Sequence, residues 1–158
     1  MEKIRIGGLL CHKNLAMLQV QGISKGEMDG GAALLLEFGN HSLNIQFITH
    51  LLDQHQHSYL TLAIDREDIR PAFDLLTRLQ KQLGALSIKL KTPVATIGIY
   101  GPDFRHRPGI AGIFLHSLKQ QNIPIFAIST SISTCSALIP EREASKAQSA
   151  IGNMFLLP

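Results

Sequence analysis

The 158-residue sequence contains no tryptophan, two tyrosines and seven phenylalanines, so aromatic residues make up only 6% of it. Proteins that bind nucleic acid usually concentrate basic residues on one face and interleave aromatic residues for stacking. Here the Lys and Arg residues are scattered, and Lys89 and Lys91 come nearest to a basic strand face. We therefore expect no nucleic-acid partner, despite a formal net charge of +3.

Long apolar runs are missing as well. No stretch approaches the roughly 18 consecutive apolar residues of a membrane span, and the opening MEKIRIGGLL lacks the apolar centre of a signal peptide. We therefore expect a cytoplasmic protein without a membrane partner. The two cysteines, Cys11 and Cys135, are too few for a disulfide framework. Both are predicted to be reduced residues of the core.

Charged residues are also few, at 17% of the sequence against 45% hydrophobic residues. A globular domain usually has about a quarter of its residues charged. Some apolar surface is therefore expected to be covered by another chain. The simplest partner is a second copy, so the composition predicts a homodimer.

An internal repeat organises the chain. The stretch from Asn40 to Ile64 is echoed by the stretch from Gln120 to Ile139, because each contains Asn-Ile, an apolar strand, polar residues and a second strand. A glycine-containing turn and an apolar helix precede each stretch, and a charged helical stretch follows. The predicted fold class is therefore α+β, with two ferredoxin-like βαββαβ modules, antiparallel sheets and the helices on one face.

The modules are predicted over residues 12–91 and 94–158, with residues 91–93 as the linker between them. One further strand is predicted over residues 3–10. The clearest helix covers residues 65–84, because apolar residues recur there at helical spacing, Asp65 suits the N-cap and Gly84 suits the stop.

The stretch GPDFRHRPGIAG, residues 101–112, is the most informative part of the sequence. Pro108 can take the first helical position, where its missing N–H is harmless. Gly109 leaves the backbone open to close approach by a ligand. The unpaired N–H groups of the first helical turn would then form an anion site suited to a carboxylate. Taken alone, Pro-Gly is also typical of an ordinary helix start.

The larger pattern from Val94 to Pro140 resembles the last module of aspartate kinase regulatory regions. Those regions have a strand, a glycine turn, RPG or HPG, an Ala-containing helix, Asn-Ile, a strand, Ile-Ser-Thr-Ser and a strand. The matching residues here are Gly101, Arg107, Pro108, Gly109, Ala111, Asn122, Ile123, Ile128, Ser129, Thr130 and Ser131.

The first half is similar to the preceding module of the same family. Residues 7–22 resemble its opening hairpin, in which two strands flank a short polar turn. Asn44 and Ile45 match the Asn-Ile pair, whereas Asp29 stands where the family has proline.

The resemblance implies a pair of ACT modules that bind an amino acid between subunits, without a kinase portion, a catalytic residue or a cofactor. A kinase or another enzyme would be the regulated partner. The family also implies that the strand within residues 3–11 crosses over to complete the sheet of the second module.

The resemblance also implies a set of ligand-binding residues. Family ligands lie where the turn before a module's first helix faces the strand after the Asn-Ile pair. The positions selected in the first module are Glu27, Asp29, Gly30, Gly31, Gln46, Phe47 and Ile48. Those in the second module are Arg107, Pro108, Gly109, Ile110, Ile125, Phe126, Ser129 and Ser131.

The expected ligand is a small neutral amino acid. Lysine-sensing members of the family place an acidic residue after Asn-Ile, where this sequence has Gln46 and Phe126. The ammonium group of a bound lysine would lack a counter-ion, which is costly in a dry cleft. His50 replaces a Gln-like polar position near this pocket, so it is predicted either to contact the ligand or to be a hydrogen-bonded interface histidine.

Two chemical patterns have ordinary explanations. The hydroxyl-rich stretch 129–136 has no His and carboxylate at readable spacing, so hydrogen bonding in turns and at strand edges is the favoured interpretation. His55 and His57 would point to one face of a strand. However, no third or fourth ligand follows, so a solvated loop is predicted instead of a metal site.

Two alternative functions stay open. One is a small hydrolase of the acylphosphatase type, in which Arg105 or Arg107 would hold a phosphate. The other is a purely structural subunit that only dimerises and whose pocket is vestigial.

Overall fold

The structure is a computed structural model, and it describes residues 3–23, 30–84, 87–102 and 104–158. The chain forms two compact units. Leu15–Thr92 form the first, which we call the continuous unit. Met1–Asn14 and Pro93–Pro158 together form the second, which we call the split unit. Among the described helices, none is long and apolar enough to cross a membrane.

The continuous unit has the order strand, helix, strand, strand, helix, strand. Its elements are the second part of β2 (Gly8–Ile23), α1 (Gly30–Asn40), β3 (Phe47–Leu52), β4 (Ser58–Asp65), α2 (Ile69–Leu83) and the first part of β5 (Ser87–Tyr100). The strand order in its sheet is β3-β4-β2-β5, and β4 pairs antiparallel with both β3 and β2.

One apolar cluster forms the core of the continuous unit. Alternate residues of β2 and β4 point to the same side of the sheet, and the two helices cover that side. The main contributors are Ala16, Leu18, Val20, Leu34, Phe38, Leu60, Leu62, Ile64, Ala72, Leu75 and Leu76. Both helices therefore lie on one face, as predicted.

Helix α2 ends as predicted but begins later. Gly84 has φ 62 and caps the helix in the left-handed conformation that glycine adopts without strain. At the other end, a 3-10 turn over Arg66–Asp68 follows Asp65, whose side chain makes no capping hydrogen bond. The predicted N-cap role of Asp65 is therefore wrong. Pro71 consequently lies in the first turn of α2, where the missing N–H costs nothing.

The split unit has the same kinds of element in a permuted order, because one strand of its sheet comes from β2, at the start of the chain, and not from a strand after its second helix. Its elements are the first part of β2, the second part of β5, α3 (Ile110–Gln120), β6 (Ala127–Thr130), β7 (Thr134–Pro140) and α4 (Ala144–Met154). Its strands are ordered β2-β5-β7-β6, and β7 pairs antiparallel with β5 and β6. A separate parallel pair joins β1 (Ile4–Arg5) to β8 (Phe155–Leu156).

A second apolar cluster forms the core of the split unit, again between the sheet and two helices. Its members include Ile4, Ile6, Ile97, Ile99, Ile110, Phe114, Leu118, Ile123, Ala137, Ile139, Ile151 and Phe155. Cys135 is buried in it and Cys11 packs against it, and both are free. Burial raises the pKa of the Cys135 thiol to about 11. This thiol therefore stays protonated and acts as a small apolar side chain.

Two predicted breaks in strands do not exist. The opening hairpin predicted over residues 7–22 is wrong, because β2 runs without interruption from Gly8 to Ile23. The polar residues of the predicted turn, His12, Lys13 and Asn14, are exposed. Asn14 has φ 62, and its N–H donates to the Glu141 carboxylate at 2.6 Å. Residues 91–93, predicted as a linker, lie inside β5. Exposed polar residues thus marked solvent-facing strand rather than turn.

The structure also corrects the internal repeat. In each unit, a residue with positive φ follows the first helix, and the next N–H donates to the carbonyl five residues back. Ser42–Leu43 is therefore equivalent to Asn122–Ile123, and Asn44–Ile45 lies two residues further on. The predicted equivalence of the two Asn-Ile pairs is wrong. The two bonds run from Leu43 to Phe38 at 2.9 Å and from Ile123 to Leu118 at 3.2 Å.

Candidate functional site

The turn before α3 is shaped by two glycines. The Gly101 N–H donates to the Ser133 carbonyl at 2.9 Å, and a Cβ on Gly101 would lie 2.8 Å from the Phe104 ring. Gly109 has φ 90 and is the N-cap of α3, which begins at Ile110. The predicted place of Pro108 at the first helical position is therefore wrong, because the chain first turns through the left-handed Gly109.

The start of α3 has the geometry of an anion site. The first N–H groups of a helix have no partner within the helix, and among the described residues no side chain caps α3. Arg107, Pro108 and Gly109 are exposed beside it, and nothing lies within 4 Å of a Cβ placed on Gly109. The Arg107 guanidinium makes no hydrogen bond or ion pair with the described part of the chain. A carboxylate could therefore contact both the helix N-terminus and Arg107.

The predicted residues of the β6 region lie in two different settings. Ile125 and Phe126 are half-buried just before β6, and Ile125 packs against the same apolar cluster that contains Ile110. Ser129 lies in β6, opposite Ser136 of β7. Ile110, at the start of α3, and Ile125, just before β6, therefore both contribute to the core of the split unit.

Ser131 belongs to the β6–β7 turn. Its hydroxyl accepts the N–H of Ser133 at 3.3 Å and that of Thr134 at 3.2 Å, and it is 2.8 Å from the Thr134 hydroxyl. These bonds confirm the turn interpretation for this part of the hydroxyl-rich stretch. They also leave Ser131 with less capacity for a ligand.

The predicted site of the continuous unit is described only in part, because Glu27 and Asp29 lie outside the described residues. Gly30 and Gly31 are the first two residues of α1. Phe47 opens β3 with its side chain buried, whereas Ile48 is exposed. The structure thus places these residues on a helix start and on the edge strand of the sheet.

Gln46 and Phe126 occupy equivalent positions in the two units. The Gln46 N–H donates to the Ala63 carbonyl at 2.7 Å, and the Phe126 N–H donates to the Leu138 carbonyl at 2.8 Å. Each bond extends the pairing of an edge strand with its neighbour. Both side chains are uncharged, so neither position offers a counter-ion to a cationic ligand.

His50 already has a partner in the protein. Its Nε2 atom lies 3.0 Å from the hydroxyl of Ser58, which is buried on the neighbouring strand. The interpretation as a hydrogen-bonded histidine therefore has a contact to support it. A ligand contact by His50 stays a prediction.

Asp53 is absent from the predicted site but organises the longer of the two hairpins. Helices α1 and α3 begin 80 residues apart, whereas α2 and α4 begin 75 apart, so the β3–β4 hairpin has five more residues than β6–β7. Asp53 Oδ1 accepts the backbone N–H groups of His55 at 2.8 Å and His57 at 2.9 Å. Its Oδ2 accepts the Tyr59 hydroxyl at 3.2 Å.

These bonds shift two pKa values. The backbone N–H of His57, followed by that of His55, holds the pKa of Asp53 below its ordinary value. The hydrogen bond to Asp53 raises the pKa of Tyr59. The local signal in the sequence is an acidic residue at the end of a strand, followed by polar residues that it can cap.

His55 and His57 lie in this loop rather than on a strand, which confirms the loop interpretation. Their ring centroids are 6.4 Å apart, and the His57 Nδ1 atom is 3.3 Å from the Asp53 carboxylate. Within the ranges that the structure describes, no group of three or more His, Cys, Asp or Glu side chains could hold a metal ion.

Comparison with known proteins relates this architecture to one enzyme family. Residues 97–155 match the family model described as "ACT domain". The aspartokinase of Corynebacterium glutamicum is 26% identical over 159 residues, covering 99% of this chain and 37% of that protein. This chain is homologous to aspartate kinases and carries an ACT domain. It spans a little over a third of the length of the curated relatives that it matches.

Solved structures show the same fold over nearly the whole chain. The regulatory subunit of aspartate kinase from Thermus flavus matches with a TM-score of 0.85 and 16% identity, covering 96% of this chain and 99% of that one. A structure of aspartokinase alpha and beta subunits matches with a TM-score of 0.84 and 22% identity, covering 94% and 97%. The predicted fold of two ferredoxin-like ACT modules is confirmed.

The ACT domain contains the turn before α3 and the whole β6–β7 hairpin. The hydrolase alternative, in which Arg105 or Arg107 would hold a phosphate, stays a prediction.

Proposed function

We propose that this chain is a non-catalytic regulatory protein that binds a small neutral amino acid. The observation that carries the proposal is the fold shared with the T. flavus regulatory subunit over 96% of this chain and 99% of that one. A cytoplasmic location and the absence of nucleic-acid and membrane partners stay predictions.

The proposed ligand places its carboxylate at the start of α3. The free N–H groups there carry the positive end of the helix dipole, and Arg107 stands beside them. Gly109 leaves the backbone accessible, since its Cβ position is open. In the continuous unit, Gly30 and Gly31 at the start of α1 are proposed to contact the ligand.

The neutral character of the ligand is proposed from the equivalent residues Gln46 and Phe126. An ammonium group buried near either side chain would lose its hydration without gaining a counter-ion. Alanine, valine, threonine or another uncharged amino acid avoids this penalty. We therefore expect lysine to bind more weakly than its uncharged counterparts.

A second copy of the chain is the proposed first partner, and a kinase or another enzyme the second. Strands β3 and β6 are the edge strands of their units, and an unpaired edge can accept another chain. Both edges carry exposed apolar side chains, with Leu51 64% exposed and Ile132, in the turn after β6, 62% exposed. Covering these side chains would remove apolar surface from water.

A thermal-shift screen of the twenty amino acids tests the proposed function. A ligand at a hundred times its Kd stabilises a protein by about 2.7 kcal/mol, which raises the Tm of a chain of this size by roughly 5–10 °C. We expect such a shift with at least one neutral amino acid and none with lysine at the same concentration. The absence of any shift at millimolar concentrations, or a best response to lysine, would contradict the proposal.

A further inference from the structure

Tyr100, the last residue of β5, contacts Gly7 and Gly8, the two glycines where β2 begins. The Gly7 N–H donates to the Tyr100 carbonyl at 2.7 Å. A Cβ on Gly7 would lie 2.8 Å from the Tyr100 ring, and a Cβ on Gly8 would lie 2.7 Å from its hydroxyl oxygen. The ring can therefore lie over these two residues only because both are glycine.

The same place adjoins the turn before α3. Gly101 follows Tyr100 directly, and a Cβ on Gly101 would lie 3.4 Å from the Gly7 nitrogen. Gly101 is also bound to the β6–β7 turn through the Ser133 carbonyl and is covered by the Phe104 ring. The first residue of the turn, Gly101, therefore lies beside Gly7, with no room for a larger side chain without close contact.

Residues 4–8, which we call the N-terminal segment, are fixed by strand pairing and by burial. Ile4 and Arg5 pair with Phe155 and Leu156, and the Ile6 N–H donates to the Leu156 carbonyl at 3.1 Å. Ile4 and Ile6 are buried in the core of the split unit. Its backbone amides should therefore exchange with solvent only when the segment opens.

We propose that Tyr100 couples the conformation of the turn before α3 to the opening of the N-terminal segment. Loosening the turn displaces the Tyr100 ring from Gly7 and Gly8. Without this cover, the hydrogen bond of the Gly7 N–H opens more often. Ordering the turn has the opposite effect, because a segment packed against a rigid neighbour opens less often. Only the part of this proposal that involves a ligand rests on the proposed function.

Hydrogen exchange of the Ile6 and Gly7 amides tests the coupling in the full chain without any ligand. The turn is perturbed by Gly109→Ala, since alanine is strained at φ 90. We expect the Gly7 amide to exchange about tenfold faster in this variant. Gln148→Gly, which weakens α4 at an exposed position of the same unit, is the matched control and should change the exchange of Gly7 less than about twofold.

A double-variant cycle assigns the effect to Tyr100. Combined with Tyr100→Ala, the Gly109→Ala change should accelerate Gly7 exchange by less than about twofold, whereas combined with Tyr100→Phe it should keep its full effect. Gly8→Ala, which displaces the ring but retains the tyrosine, gives a second way to uncouple the two sites if Tyr100→Ala folds poorly. The proposal is overturned if Gly109→Ala leaves Gly7 exchange unchanged, or accelerates it equally with and without the ring.

The ligand part needs an amino acid identified by the thermal-shift screen. Its binding should slow Gly7 exchange in the wild type but not in Tyr100→Ala, while the thermal shift persists in both proteins. Slowing of equal size in both proteins would contradict the coupling. If no amino acid binds, the proposed function fails, and the ligand-free variants still decide the coupling.

Discussion

The hairpins of the two units perform the same structural task with different chemistry. The longer one, between β3 and β4, is organised by the charged carboxylate of Asp53, which accepts two backbone N–H groups. The shorter one, between β6 and β7, is organised by the neutral hydroxyl of Ser131, which also accepts two. Both units therefore have a hydrogen-bond acceptor in this hairpin. The acceptor is a charged carboxylate in one unit and a neutral hydroxyl in the other, so only the first is expected to respond to pH.

The first helices of the two units differ in the polarity of one position. Leu36 of α1 is 63% exposed, and the equivalent position 80 residues later in α3 is His116. Among the described residues, the three most exposed leucines, Leu36, Leu51 and Leu52, all lie in the continuous unit, whereas the split unit exposes Ile132 to 62%. The split unit instead concentrates cationic side chains at Arg105 and Arg107. We therefore propose association through the continuous unit and carboxylate binding at the split unit, and the variants below test both.

The largest expected effect tests whether the two cores contribute equally to the free energy of unfolding. Phe38 and Phe114 are both fully buried, one in each unit. Replacing either by alanine should lower the free energy of unfolding by about 3–5 kcal/mol, because burial is lost and a cavity remains. Denaturant titration measures the loss, and hydrogen exchange should show faster opening mainly in the unit that carries the change. Comparable acceleration in both units would mean that the cores unfold together.

The next effect separates ligand binding from general charge. Arg107→Gln removes a cation from the proposed carboxylate site, and a charged hydrogen bond of this kind contributes about 1.5–3 kcal/mol. Calorimetric titration should therefore show the affinity for the neutral amino acid falling at least tenfold. Arg105→Gln, in the neighbouring 3-10 turn, is the matched control and should alter the affinity less than about twofold. Equal losses in both variants would indicate general electrostatics instead of a defined contact.

A smaller effect is expected at the edge strands. A lysine on an edge strand opposes pairing with another chain, so Leu51→Lys should weaken self-association about tenfold, as seen in sedimentation. Ile132→Lys places the same charge at the split unit and should weaken it less than about threefold. Neither variant should change unfolding by more than about 0.5 kcal/mol, because both side chains are exposed. A stronger effect at Ile132 would reverse the assignment of the association surface.

The smallest effect is the pH dependence of the hairpins. The folded pKa of Asp53 lies below its ordinary value of 3.8, so its stabilising contribution is present above pH 3.8 and is lost as the pH falls through the folded pKa. Exchange at His55 and His57 should therefore accelerate below pH 3.8 in the wild type, beyond the intrinsic pH dependence.

Two comparisons decide whether Asp53 is the cause. In Asp53→Asn this additional acceleration should be absent, and the amides of Ser133 and Thr134 beside Ser131 should not show it in either protein. If the Ser131 hairpin loosens over the same pH range, global acid unfolding would explain the result instead.

Much of the fold follows from local patterns. Helix α2 is predictable because its apolar residues recur at helical spacing and Gly84 ends it. Strand β4 is predictable because large apolar residues occupy every second position, Leu60, Leu62 and Ile64. The geometry of the proposed site is harder to predict from such patterns. Pro108 suits a helix start by its own φ preference, yet the left-handed Gly109 follows it and delays the helix.

The two-residue shift between the Asn-Ile pairs has a similar origin. Identical dipeptides suggest equivalence, but the bond to the carbonyl five residues back decides which residue enters the core. Leu43 and Ile123 are the residues that are buried there. Packing after the helix, rather than residue identity, therefore sets the alignment.

The sequence by itself determined that the chain forms two βαββαβ modules, because periodicity and glycine punctuation are local properties. Only the tertiary structure decided that β2 and β5 continue through apparent breaks, since an exposed polar strand residue looks like a turn until its pairing partner is known. It also decided that Tyr100 lies over Gly7 and Gly8, more than ninety residues away in the chain. No local pattern encodes that contact, because it depends on which strands become neighbours in the folded sheet.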